Sequence, residues 1–212
     1  MNITPIITVR GGSSLKDKNI RLYKGTPLLA ICVEKCVKVF GSVFVLSDTE
    51  KYREIAEKSG ATVIIDDKVG GKEDVTVRLS KFVKKHNIDG RLILCQCTSP
   101  NISIERYKEI FEKSKDLEDD EILLSCVEVS QKPSAFYLMN ENGNLYTAIK
   151  GMPIVSKPRQ ILEKVYYYNG GLTSFHSSQL IHESFFEKAR LIPFMITEEE
   201  MLDIDNENDF KK

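Results

Sequence analysis

Short stretches lying far apart in the chain carry side chains suited to a charged ligand. Arg10-Gly11-Gly12-Ser13 ends an apolar run and is followed by Lys16, Lys18 and Asn19. Paired glycines let the backbone turn sharply and approach a ligand closely, and turn N–H groups that point outward favour an anion. With Arg10, Lys16 and Lys18 around it, the loop suits a polyphosphate. It reads equally as an ordinary strand-to-helix turn with solvated lysines. It is neither GxGxxG nor GxxxxGK[ST], which disfavours a dinucleotide fingerprint and a P-loop. Asp203-Ile204-Asp205 places two carboxylates at i and i+2, on one face if the segment is extended. Two such oxygens suit Mg²⁺ completed by water and substrate phosphates. The competing reading is a helix N-cap with an acidic first turn. Gln96, Thr98 and Ser99 can hydrogen-bond a base or ribose, or can be turn chemistry before Pro100. Arg159 can grip a phosphate or carboxylate, or lie on the surface after Pro158. Asn169-Gly170-Gly171 is a close approach to a ligand or a plain turn. His86, His176 and His182 have no ligand spacing, and no GxSxG or HExxH occurs.

The elements that must position these residues alternate through the first 127 positions. Strands are predicted at Thr4–Val9, Ser42–Ser47, Ala61–Ile65, Arg91–Gln96 and Glu121–Val127. Helices are predicted from Pro27 to Val39, Glu50 to Lys58, Asp74 or Thr76 to Lys85, and Ile104 to Lys115. This order predicts an α/β fold with a mainly parallel sheet, and such sheets bind ligands beyond the carboxyl ends of their strands. The polar ends at Arg10–Ser13, Ser47-Asp48 and Gln96–Pro100 are then expected to meet. After Val129 the rhythm changes. Phe136–Met139 and Leu145–Ile149 flank an Asn/Gly turn and read as a hairpin. Val165–Tyr168 extends this tyrosine-rich excursion, which either packs on another subunit or caps the same domain. Leu172–Phe175 should return to the sheet. Ser177–Phe186 reads as a helix, and Leu191–Ile196 as an edge strand because Pro193 lacks an N–H.

Composition narrows the class. The 212 residues suit one domain with an arm, and 30 basic against 31 acidic side chains give a net charge of −1. That argues against a nucleic-acid or membrane-surface binder, while leaving room for a local basic pocket. The five cysteines are odd in number, form no CxxC, and fall in apolar patterns, so buried thiols in a reducing compartment are expected. No signal peptide is read and no apolar run is long enough for a membrane span, so the expected location is the cytoplasm.

Taken together and in order, these stretches resemble the CMP-acylneuraminate synthetases, the acylneuraminate cytidylyltransferases. The residues are Arg10-Gly11-Gly12-Ser13 with Lys18-Asn19, Ser47-Asp48, Gln96-Cys97-Thr98-Ser99-Pro100, Pro158-Arg159-Gln160, Asn169-Gly170-Gly171 and Leu202-Asp203-Ile204-Asp205 with Asp209. The family patterns are approximately ARGGSKG…KN, SSD or STD, QPTSPLR, PRQ, NGAIY and DIDxxxDL. The resemblance covers almost the whole chain. It implies a Rossmann-like nucleotidyltransferase domain over residues 1–212 with an inserted dimerisation arm at 131–168, and a homodimer. It implies transfer of CMP from CTP to the anomeric hydroxyl of a nonulosonic acid, with Mg²⁺, releasing pyrophosphate. Arg10, Gly11, Gly12, Ser13, Asn19, Gln96, Thr98, Ser99 and Pro100 would face the nucleotide. Arg10, Lys16, Lys18 and Asp205 would serve catalysis, Asp203 and Asp205 the metal, and Arg159, Gln160, Asn169 and Gly170 the sugar acid.

The chain also departs from these patterns. The first loop is one residue short and has Ser14 where the family has Lys. Asp66 and Asp67 stand in place of an Arg-Pro pair, Ala135 in place of a Lys, and QPTSPLR has become QCTSPNI. NGAIY has become Asn169-Gly170-Gly171-Leu172-Thr173. The nucleotide and metal ends are better kept than the sugar end, so the expected acceptor is a less usual acid, of legionaminic, pseudaminic or another ulosonic type. The alternatives are a CMP-Kdo-type or other sugar nucleotidyltransferase, and a nucleotide-binding subunit whose catalysis has decayed.

Overall fold

The computed structural model describes residues 2–11, 15–65, 74–130, 135–148, 164–181 and 188–212. Its centre is a seven-stranded sheet ordered β11-β7-β10-β6-β1-β4-β5. The strands are β1 (Ile3–Val9), β4 (Phe44–Ser47), β5 (Thr62–Ile65), β6 (Arg91–Cys95), β7 (Glu121–Val129), β10 (Val165–His176) and β11 (Arg190–Met195). Strands β5, β4, β1 and β6 run parallel to one another, and β11 runs parallel to β7. Strand β10 enters antiparallel between β6 and β7. The sheet is thus mainly parallel, as the alternating pattern predicts. Two-stranded ladders pair β2 (Leu22–Tyr23) with β3 (Thr26–Pro27), and β8 (Tyr137–Met139) with β9 (Leu145–Thr147).

Alternate residues of each strand feed opposite faces. Ile7, Val45, Ile93 and Leu123 pack with Leu29, Val33 and Cys36 of helix α1 (Leu28–Phe40) and Tyr107 and Ile110 of α4 (Ile104–Ser114). Ala56 of α2 (Arg53–Lys58) joins that layer. Ile6, Leu46, Leu92 and Phe175 pack on the other side against Leu79 and Phe82 of α3 (Val75–His86). Both faces of the parallel strands are covered, which is why these strands read as unbroken apolar runs. Asp74 caps α3 by accepting from the Thr76 N–H at 2.7 Å. Helix α1 ends where Gly41 adopts φ +81° and its N–H reaches the Val37 carbonyl at 2.9 Å. All five cysteines are free and buried. Among the described residues no helix is long and apolar enough to cross a membrane.

Some expectations are corrected. Val165–Tyr168 and Leu172–Phe175 are a single strand, β10, whose pairing with β7 shifts register between Tyr168 and Thr173. Asn169-Gly170-Gly171 is a bulge inside it, not a break: Gly170 takes φ +74° while the chain keeps its direction. The segment expected as a helix from Ser177 begins as a 3-10 turn over Ser177–Ile181, and 182–187 lie outside the described residues. Pro193 lies in β11, which pairs with β7 alone and ends the sheet.

Candidate nucleotide site

The register of the parallel strands brings Val9, Ser47 and Cys95 to one edge of the sheet, so the residues after them emerge together. A cavity of about 470 Å³ opens there, lined by Arg10, Lys18, Asn19, Gln96 and Thr98, with Arg78 and Asp74 from the start of α3. Arg10 extends from the end of β1 and is exposed. Lys18 and Asn19 come from the 3-10 turn Lys18–Ile20. Asn19 is buried; its Nδ2 donates to the Arg10 carbonyl at 3.3 Å, and the Tyr52 hydroxyl donates to the same oxygen at 3.2 Å. The Gly11 N–H donates to Asp48 Oδ1 at 2.9 Å, joining the polar ends of β1 and β4.

The acidic segment arrives from the far end of the sequence. Ile204 is fully buried against Tyr23 and Leu28, and its N–H donates to the Thr98 carbonyl at 2.8 Å. Neither flanking carboxylate lines the cavity itself; Asp205 is tied to it through the lining residue Lys18. Asp205 is 68% exposed and accepts from Lys18 Nζ at 2.8 Å, while Lys18 itself is only 11% exposed. Asp203 is partly buried, and its Oδ1 has no hydrogen-bond partner. Burial raises its pKa; a hydrogen bond from Thr98 opposes this, the Asp205 charge adds to it, and Lys18 opposes it. A second cation near this pair would relieve that strain. Asp209 closes the turn by accepting from the N–H groups of Asp205 and Asn206 at 3.0 and 3.1 Å. Its pKa falls to about 2 through the Lys212 hydrogen bond and these N–H donors. Asp203-Ile204-Asp205 lies outside any helix, between the short 3-10 turns Glu199–Met201 and Asp209–Lys211, so it is not a helix N-cap with an acidic first turn.

The remaining expected residues sort by distance from the cavity. Ser99 and Pro100 are buried behind it. Lys35 Nζ holds the turn there by donating to the Pro100 and Ile102 carbonyls at 2.6 and 2.7 Å. Asn169 is buried; its Oδ1 accepts from Ser125 Oγ at 2.6 Å and from the Gly171 N–H at 3.1 Å, which leaves only its buried Nδ2 without a partner. Gly171 presses against this turn, and its carbonyl accepts from the Gln96 N–H at 2.9 Å. Lys16 is exposed and does not line the cavity. Gly12, Ser13, Arg159 and Gln160 lie outside the described residues.

Arg78 is a site residue that the sequence reading passed over. It is buried, and its guanidinium donates to the Val9 carbonyl at 3.3 Å and the Leu46 carbonyl at 3.0 Å, bracing the ends of β1 and β4. The available signal was a cation on the apolar stripe Val75, Leu79, Phe82 of α3.

A mainly parallel sheet with a polar, cationic cavity at its carboxyl edge is the arrangement in which open α/β sheets hold their ligands. The chain belongs to the cytidylyltransferase family, whose sequence profile matches residues 4–192. It is 28% identical over 215 residues to the N-acylneuraminate cytidylyltransferase of Streptococcus agalactiae serotype V, covering 97% of this chain and 51% of that protein. It is 27% identical over 219 residues to the N-acylneuraminate cytidylyltransferase of Escherichia coli O18:K1:H7, covering 99% of this chain and 50% of that protein. The chain thus spans about half the length of the curated relatives it matches. The fold is shared with a CMP:2-keto-3-deoxy-manno-octonic acid synthetase solved with CTP, at a TM-score of 0.72 and 16% identity, over 100% of this chain and 96% of that one. It is also shared with the 4-diphosphocytidyl-2C-methyl-D-erythritol synthase of Anaerococcus prevotii, at a TM-score of 0.67 and 14% identity, over 99% and 92%.

Proposed function

We propose that this chain transfers CMP from CTP to the anomeric hydroxyl of a nonulosonic acid and releases pyrophosphate. The observation that carries this reading is the cationic cavity at the carboxyl edge of the sheet, whose lining residue Lys18 also holds Asp205 of the acidic segment at 2.8 Å. Arg10 and Lys18 would bind the triphosphate, with Gly11 to Ser13 as its cradle. Asn19, Gln96 and Thr98 would hold the nucleoside by hydrogen bonds. Asp203 and Asp205 would hold Mg²⁺. The unpartnered, buried Oδ1 of Asp203 fits this role, and two carboxylates suffice for an ion that takes its other ligands from water and phosphate. When bound, the ion supplies charge neutralisation at the phosphates. The attacking hydroxyl needs an in-line approach to the α-phosphate. Fixed cationic and N–H groups stabilise the charge that develops as pyrophosphate departs.

The acid-sugar acceptor is supported by the N-acylneuraminate relatives and by the retained Asn169-Gly170-Gly171 segment. Arg159, Gln160, Asn169 and Gly170 are proposed to act at the acceptor end, Asn169 from behind the Gln96–Pro100 turn. A less usual acid than N-acetylneuraminic acid is favoured by the lost Lys and Arg positions. An octulosonic acid is the second reading, favoured by the likeness to the CMP:2-keto-3-deoxy-manno-octonic acid synthetase. The arm expected at 131–168 is proposed to pair two copies through its hairpin, since Phe136, Tyr137, Leu138, Met139, Leu145 and Tyr146 are all exposed, whereas Val165–Tyr168 belong to β10 of the central sheet. The five free thiols support a reducing compartment such as the cytoplasm.

The test is pyrophosphate release with CTP and Mg²⁺ across a panel of nonulosonic and octulosonic acids. Release that depends on one acid supports the reaction and names the acceptor. N-acetylneuraminic acid turning over as well as or better than every other acid overturns the unusual-acid assignment. Stabilisation by CTP without release on any acid points to a nucleotide-binding subunit that no longer catalyses.

A further inference from the structure

Cys97 lies just beyond β6, is 2% exposed, and lines the same cavity as Asn19. Its Sγ donates to Asn19 Oδ1 at 3.3 Å. The direction of that bond follows from the other end of the amide. The Arg10 carbonyl lies 3.3 Å from the Asn19 side chain and can only accept, so it must face the NH₂ group. The Oδ1 is then turned toward Cys97, which must supply a proton. Burial pushes the thiol pKa far up, so that proton stays in place at any working pH. Asn19 is 6% exposed, and an unmatched Oδ1 there would cost more than the bond itself contributes.

We propose that Cys97 is a positioning residue for the nucleotide: its thiol fixes the Asn19 amide so that the second Nδ2 hydrogen is presented to an oxygen of the bound nucleoside triphosphate. This rests on the reading of the cavity as a CTP site. Without the thiol donor the Oδ1 is left unmatched and only the Arg10 carbonyl and the Tyr52 hydroxyl hold the amide, so its Nδ2 is less firmly fixed toward a ligand rich in oxygen acceptors.

The experiment compares Cys97→Ser, which keeps a donor, with Cys97→Ala, which does not, by calorimetric CTP titration of the whole protein and by its melting temperature without ligand. Both replacements remove similar volume, so a packing role predicts equal losses from both. The positioning role predicts that Cys97→Ala weakens CTP binding about three- to tenfold, while Cys97→Ser stays within about twofold of the unaltered protein. Should Cys97→Ala fail to fold, Cys97→Val, which fills the site without a donor, takes its place. In an Asn19→Ala background, Cys97→Ala should cost no further affinity. Equal weakening by Ser and Ala, no weakening by Ala, or additive losses in the double variant would each overturn the inference. If the unaltered protein does not bind CTP, the reading of the cavity falls and the positioning role falls with it. Binding by the unaltered protein with unchanged variants removes the positioning role alone.

Discussion

The carboxyl edge of the sheet and the β8–β9 hairpin at Tyr137–Thr147 are built on opposite terms. At the edge, every element is tied to another: Ile204 to Thr98, Lys18 to Asp205, Lys35 to Pro100, Gly171 to Gln96. In the hairpin, Leu138, Met139, Leu145 and Tyr146 are 48 to 69% exposed, and the ladder between its own strands is most of what orders it. A site that must hold charge in a fixed place needs neighbours that over-determine it. A surface that waits for a partner keeps its apolar side chains uncovered. The edge is therefore where substitutions should damage chemistry or folding, and the hairpin is where they should alter assembly.

Four changes put this contrast at risk, taken from the largest expected effect. Asp205→Ala should lower CTP turnover by at least about 100-fold. Because Asp205 is largely exposed, stability should move by no more than about 1 kcal/mol, and circular dichroism with a melting curve would check that the fold stays intact. Retained turnover would detach the acidic segment from the site.

Glu200→Ala tests folding at the same edge. Its carboxylate accepts from the Ser103 N–H at 3.1 Å, Ser103 Oγ at 2.6 Å, the Thr197 N–H at 3.0 Å and Arg106 Nε at 3.0 Å, fastening the C-terminal segment to the start of α4. The loss should be about 2–3 kcal/mol, or roughly 4–12 °C in melting temperature. Burial works to raise the Glu200 pKa, but these hydrogen bonds bring it from an ordinary 4.5 to about 2. A depressed folded value contributes stability that is full above pH 4.5 and is lost as pH falls toward 2. Glu200→Gln should flatten that part of an acid-unfolding curve.

Gly171→Ala should cost about 1–3 kcal/mol. A Cβ there would stand 2.3 Å from Ile102 Cδ1 and 3.0 Å from Ser99 Oγ, so these buried side chains must move aside in a packed interior. Denaturant unfolding gives the stability, and CTP affinity should fall with it. Leu138→Asp, in the hairpin, should leave stability within about 0.5 kcal/mol. Sedimentation should nevertheless show the variant as monomer where the unaltered protein is dimer. A monomer in both cases would end the arm's proposed role.

The strands and helices of the α/β core are legible because β1, β4, β6 and β7 are buried on both faces and their sequences are mostly apolar. Strand β10 is not legible as one element. Asn169-Gly170-Gly171 has the composition of a turn, and only pairing on both sides with β6 and β7 keeps the chain extended through the bulge. At the site, Arg10, Gln96 and Thr98 follow from their place after strand ends, whereas Asn19 follows only from the family resemblance. Lys18 and Asp205 are 187 positions apart, and no local pattern announces that they touch. Lys16 was read as part of the charge cluster from its proximity in sequence, but the turn around Asp17, with φ +58°, directs it elsewhere. Arg78 escaped because a cation on a helix is ordinarily solvated, and its burial depends on carbonyls contributed by β1 and β4.

The most direct test of the account is a crystal structure of the protein with CTP and Mg²⁺. The account predicts the triphosphate against Arg10, Gly11 and Lys18, the nucleoside beside Asn19, Gln96 and Thr98, and the metal on Asp203 and Asp205. Nucleotide bound away from this cavity, or a metal that ignores both carboxylates, would contradict it.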